Sequence, residues 1–221
     1  MWVEVKMLKL EKGSIATPWC PHISDTIYNA YYSNIIYDSS GYENNGVITG
    51  DIQINESTPR YSCSIKQTSG QYIQVEKRPA ECLPKDKMTV NFWMYCKTWG
   101  NPVSCTEGGG WNFENGSTGI RFSVYISGVG YKYQDTTVTT SSLLNAWHML
   151  TGVFDGSNVL TYVDGELKTS VSTGSTNGIG YANNYLFIGA EASGNSISPA
   201  NSSYTGSLSD FRIYATALTA D

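Results

Sequence analysis

The chain is poor in charge: only 15% of its 221 residues are Asp, Glu, Lys or Arg, against about 25% in a typical soluble domain. Its solubility must rest on Ser, Thr, Asn, Gly and Tyr. The 14 Lys and Arg form no run, and the net charge is −5, so the electrostatic footprint of a nucleic-acid binder is missing. No uninterrupted apolar stretch approaches the ~20 residues of a membrane helix, which argues against membrane insertion. The opening residues 1–13 alternate and carry Glu4, Lys6 and Lys9, so they lack the consecutive apolar core of a signal peptide. Histidine is nearly absent, with two residues, and the five cysteines (Cys20, Cys63, Cys82, Cys96, Cys105) include no C-x-x-C pair. That argues against a zinc site and a full disulfide framework. Cys96 and Cys105 are spaced to bridge across a short loop; the alternative is buried free thiols.

What is present favours strands. Val, Ile, Thr, Tyr and Trp suit half-buried sheets, and helix-favouring residues are scarce. Short strand patterns run through 72–76, 88–96, 120–127, 147–156, 159–171, 185–191 and 206–218. Asp164-Gly165 lies between two alternating segments and predicts a type I′ hairpin; Asp155-Gly156-Ser157-Asn158 supplies the turn before it. The two turns make a meander in which Met149, Val153, Leu160 and Tyr162 share a face. Trp147 reads as a core anchor between sheets, and His148 as a structural histidine. Residues 2–10 form one further strand pattern, and 23–36 read as a linker or short helix.

Three ordered motifs, YDSSGYENNG at 37–46, NAWHMLTGVFDGSNVLTYVDGEL at 145–167 and GSLSDFRIYATALTAD at 206–221, resemble the laminin G-like, concanavalin A-like jelly rolls of bacterial surface and phage tail proteins. The resemblance implies an all-β sandwich of two antiparallel sheets over residues 37–221. It also implies a structural calcium ion tying the first loop to the last strand through Asp38, Asn44 and Asp210. Chemically, two carboxylates and an amide oxygen suit calcium; alternatively, Asp38 caps its own turn and Asp210 pairs with Arg212 or a lysine. Residues 1–22 are similar to the closing strand and exit of β-sandwich modules in phage tail and baseplate proteins. They are assigned to a preceding module, with an edge strand of the main domain as the alternative.

Some relatives of this fold cleave polysaccharides with two carboxylates across the scissile bond. The Glu-x-Asp-x-x-Glu strand of the laminarinase-like members does not occur here, and Glu107 and Glu114 are separated by three glycines. No Gly-x-Ser-x-Gly elbow occurs, and Gly128-Val129-Gly130 lacks the lysine of a phosphate loop. A non-catalytic protein is expected. Sugar sites combine aromatic rings, which cover apolar C–H faces, with amides and acids for hydroxyls. Within the aromatic- and amide-rich segment 99–135, the candidate ligand-binding residues are Trp111, Asn112, Glu114, Arg121, Tyr131 and Tyr133, with Trp111 as the stacking platform. The competing reading places such aromatics in the core. The expected function is a carbohydrate-binding or adhesion module of a phage virion tail or bacterial surface protein, recognising a cell-surface polysaccharide beside neighbouring modules of a longer chain. A structural spacer and a polysaccharide hydrolase or degenerate relative are the alternatives. A trimer follows only from analogy with fibres, because no heptad is present.

Overall fold

The structure is a computed structural model describing residues 34–40, 42–55, 62–66, 70–75, 83–182, 185–193, 196–197 and 204–219. The expected strand at 2–10, the linker up to residue 33, Cys20 and Cys82 lie outside these residues. Strands β1 to β17 follow in chain order: Ile35–Ile36, Gly46–Thr49, Gln53–Asn55, Ser62–Lys66, Tyr72–Val75, Met88–Thr98, Val103–Cys105, Trp111–Asn115, Ile120–Ile126, Gly130–Lys132, Trp147–Phe154, Asn158–Val163, Glu166–Ser172, Leu186–Ile188, Ala192–Ser193, Ser196–Ile197 and Thr205–Tyr214. One sheet has eight strands in the order β1-β2-β5-β14-β7-β8-β9-β10, and the other has seven in the order β13-β12-β11-β6-β17-β4-β3. All ladders between these strands are antiparallel. This is the two-sheet jelly roll the motifs implied. Its first strand, Ile35–Ile36, falls inside the segment read as linker and pairs with β2. Among the described residues no helix is long and apolar enough to cross a membrane.

Alternation decides which side of each strand is core. On β6, Met88, Val90, Phe92, Met94 and Cys96 are fully buried, while Asn91, Trp93 and Tyr95 between them are half-buried and face out. The opposing sheet contributes Trp111, Phe113, Ile120, Phe122, Val124 and Ile126, all at most 2% exposed. Phe92 meets Phe113 edge-on at 5.3 Å, and Phe113 lies 5.0 Å from Phe122. Each such ring stabilises the fold by about 1.5–3 kcal/mol. The sheets approach closely at Gly152, where an added Cβ would lie 2.5 Å from the Phe122 ring, and there the Phe122 N–H donates to Thr161 Oγ1 across the sandwich.

The meander forms as expected. Asp164 (φ 53°) and Gly165 (φ 81°) occupy the left-handed region that a type I′ turn requires. Asp155 caps the preceding turn, accepting from the Ser157 and Asn158 N–H groups. Burial raises its pKa, and those bonds together with the Asn158 amide outweigh that and lower it. Met149, Val153, Leu160 and Tyr162 do share a face, and it is the outer one; Leu150, Gly152, Phe154, Val159, Thr161 and Val163 fill the core side. Trp147 has the parity of Met149, so it lies on the outer face rather than between the sheets. Cys96 and Cys105 are free and buried, on opposite sheets, which corrects the bridged alternative in favour of free thiols. Burial pushes them up to about 11 and about 12 respectively.

Candidate functional site

The six residues expected to bind ligand all sit on β8, β9 and β10 or just beyond, yet they divide by depth. Trp111 is 2% exposed, in contact range of Phe122 at 6.2 Å, and its side chain hydrogen-bonds to Tyr181. It cannot offer a ring face to solvent, so the platform assignment is corrected: its odd parity on β8 matches Phe113 and points into the sandwich. Asn112, of even parity, is 5% exposed, in register with Ser104 and Ser123, and its Oδ1 has no hydrogen-bond partner among the described residues.

The other four lie outward. Glu114 and Arg121 are cross-strand partners. Arg121 Nε donates to Glu114 Oε1 at 2.9 Å and its NH1 to Asp135 Oδ1 at 3.0 Å, while its Cζ lies 3.8 Å from the Tyr133 ring centroid. Burial lowers the Arg121 pKa, and the two carboxylates outweigh that and raise it. Asp135 in turn accepts from the Ser117 N–H and hydroxyl and from Arg121, which lower its pKa. Such a carboxylate stays ionised and is unsuited to donating a proton to a leaving group. Tyr133 is 44% exposed. Tyr131 stacks edge-on against Tyr125 at 5.1 Å, and its hydroxyl donates to the Gly109 carbonyl and accepts from the Gly109 N–H. It buttresses the glycine loop.

A second outward surface was not foreseen. Strand register places Ser207, Tyr95 and Trp147 in one row across β17, β6 and β11, and Ser209, Trp93 and Met149 in the next. The third row holds Arg212, Asn91, Thr151 and Tyr162. The Tyr95 and Trp147 rings are 5.9 Å apart, and Asn91 Nδ2 donates to Thr151 Oγ1 at 2.6 Å. Trp93, Tyr95 and Trp147 are each half-buried, as expected for rings lying against a sheet with one side open. Successive rows are about 6.6–6.8 Å apart and neighbouring strands about 4.8 Å. The result is an aromatic floor, with the Tyr95 and Trp147 rings in contact, interleaved with hydroxyls and an amide.

Each carboxylate implied for calcium has hydrogen-bonding or ionic partners of its own. Asp38 accepts from the Ser40 N–H and hydroxyl and from the Asn44 N–H and Nδ2, while Asn45 Oδ1 accepts from the Asp38 N–H. Burial raises its pKa, and the Ser40 and Asn44 bonds outweigh that and lower it. Both oxygens therefore face donors, and the Asn44 amide presents its NH2 to the carboxylate rather than its oxygen. Asp210, on β17 of the other sheet, forms an ion pair with Arg212 at 3.3 Å. Among the described residues no three of His, Cys, Asp and Glu gather in a metal-binding group. These are the contacts that the turn-capping and Arg212 alternatives describe. His148 is structural at one nitrogen. Its Nδ1 lies 2.7 Å from Asp164 Oδ2; the other Asp164 oxygen accepts from the Met149 N–H, while the buried His148 Nε2 has no partner among the described residues.

Comparison with known proteins bears on the fold. The structure resembles the binding domain of Paraclostridial Mosquitocidal Protein 1 (TM-score 0.67, 19% identity), covering 85% of this chain and 48% of that one. It also resembles the binding domain of botulinum neurotoxin DC in complex with SialylT (TM-score 0.65, 16% identity; 83% and 46% covered) and the same domain in complex with rat synaptotagmin II (TM-score 0.64, 17% identity; 83% and 46% covered). The chain spans about half the length of these structures, and at such identities they share the fold alone. No curated protein matches it. The family described as the concanavalin A-like lectin/glucanases superfamily, of laminin G type, matches residues 67–221. With two antiparallel sheets and that match over most of its length, the chain belongs to the concanavalin A-like lectin/glucanase superfamily.

Proposed function

We propose that this chain is a non-catalytic carbohydrate-binding module that recognises a cell-surface polysaccharide through the outer face of its seven-stranded sheet. The observation that carries the reading is the floor of Trp93, Tyr95 and Trp147 with Asn91, Thr151, Ser207 and Ser209 among them. Half-open rings cover the apolar faces of sugars, and hydroxyl and amide groups exchange water for sugar hydroxyls. The family contains both lectins and glucanases, so membership alone does not choose. Against hydrolysis stands the chemistry of the acids on the opposite sheet: Glu114 and Asp135 share one guanidinium, and Asp135 is held ionised. That one similar binding domain is known in complex with SialylT and with rat synaptotagmin II supports a recognition role. We further place the module on a phage tail or bacterial surface protein, as an adhesion unit among other modules.

Tyr133 and Arg121 favour a second reading, in which the β9–β10 edge is the site, because an exposed ring lies directly over a guanidinium. Affinity electrophoresis in polysaccharide gels separates the two. Trp147→Ala is expected to abolish retardation at an unchanged melting temperature, while Arg121→Gln retains it. The reverse pattern moves the site to the edge, and retardation unaffected by either removes both.

A further inference from the structure

The aromatic floor is nearly free of charge, and the exceptions lie at its borders. Arg212, in the third row, is compensated by Asp210. At the opposite border, the alternation that turns Trp93 and Tyr95 outward carries Lys97 onto the same face, one step beyond Tyr95 along β6. Lys97 is exposed and takes part in no ion pair among the described residues. It falls where the β6–β17 register shifts, between the Gly206–Cys96 and Thr205–Thr98 pairs, so it has no cross-strand partner on β17. On its other flank the chain turns at Asn145, exposed and left-handed at φ 61°, whose N–H donates to the Cys96 carbonyl. An ammonium without an ion-pair partner among the described residues, an exposed amide and the Tyr95–Trp147 ring pair thus meet at one end of the floor.

We infer that this end takes an acidic sugar, its ring against Tyr95 and Trp147 and its anionic group at Lys97. The inference rests on the reading of this face as the glycan site and names the class of sugar it selects. The chain as a whole is anionic, at net −5, so long-range attraction does not supply the preference. The Lys97 and Tyr95 backbones lie about 7 Å apart by strand repeat, so an anion on a sugar at Tyr95 is within reach of the Lys97 side chain and inside the ~8 Å Debye length at physiological salt. The selection is therefore local. An ammonium is a compact, rotatable donor, suited to a carboxylate, sulfate or phosphate on the ring without demanding one fixed geometry. The rest of the floor, where Arg212 is compensated by Asp210, accommodates neutral residues of the same polymer.

The test is a printed array of neutral, sialylated, uronic, sulfated and phosphorylated glycans probed with the whole chain, its Lys97→Gln variant and its Trp147→Ala variant. Wild type is expected to bind acidic glycans at least tenfold above their uncharged counterparts. Lys97→Gln should reduce that ratio to near one while keeping residual binding, and Trp147→Ala should lose both. A wild type that prefers neutral glycans, or an acidic preference unchanged by Lys97→Gln, overturns the inference and leaves the glycan site standing. Absence of binding to any class removes the carbohydrate reading itself, and this inference with it. Lys97 is exposed, so its variant is expected to melt with the wild type; an equal melting temperature assigns any change to the charge.

Discussion

Trp93, Trp111 and Trp147 all lie on strands and have different consequences on removal. Trp111 fills the sandwich at 2% exposure, so Trp111→Ala is expected to cost about 3–5 kcal/mol and lower the melting temperature by on the order of 10 °C. Trp93 and Trp147 leave one side open, and their alanine variants are expected to bind glycan less while melting close to the wild type. Calorimetry on the three variants checks this; a stable Trp111→Ala protein contradicts the buried placement. The thiols of Cys96 and Cys105 are a second residue-scale case. Buried and with raised pKa, they are expected to resist iodoacetamide in the native protein at pH 8 and to label on unfolding, as peptide mapping would show. A Cys96–Cys105 crosslink recovered from the native protein contradicts their placement on opposite sheets.

Single strands carry most of what was legible beforehand, and also the main misreading. The meander was legible because Asp-Gly and Asp-Gly-Ser-Asn are turn chemistry with a backbone reason. Short β2, β3, β7 and β10 were not, because three or four residues carry too little alternation to stand out from loop. On β8 the pattern was present but unweighed: Trp111 and Phe113 alternate with Asn112 and Glu114, and the apolar parity belongs in the core. On β6 both parities are large, and only the polar Thr89, Asn91 and Lys97 mark the odd side as outward. Trp147 was misplaced because its strand begins at the sheet end, where parity has to be carried back from Leu150 and Phe154. The inward side of β11 is tested by Gly152→Ala. Its methyl would overlap Phe122, and a loss of about 1–3 kcal/mol is expected in urea melts. The first loop is closed by its own hydrogen bonds, so EDTA is expected to leave the melting temperature unchanged. A drop in EDTA, restored by calcium, restores the metal.

For the whole molecule, low charge has two consequences. Few ion pairs are available, so acid sensitivity concentrates in a few turn-capping or paired carboxylates, Asp38, Asp135 and Asp155. Each has a lower pKa in the fold than in the unfolded chain. Their stabilisation is therefore complete above the ordinary carboxylate range and declines as pH falls through that range toward their folded values. Denaturant midpoints are expected to be flat from about pH 5 to 7 and to fall below about pH 4. The second consequence is a broad neutral surface on which the aromatic face stands out as a recognition feature. The most direct measurement is a crystal structure with the oligosaccharide that binds best on an array. The account predicts sugar density against Trp93, Tyr95 and Trp147 on the seven-stranded sheet, and density at the Tyr133–Arg121 edge, with the aromatic floor bare, would contradict it.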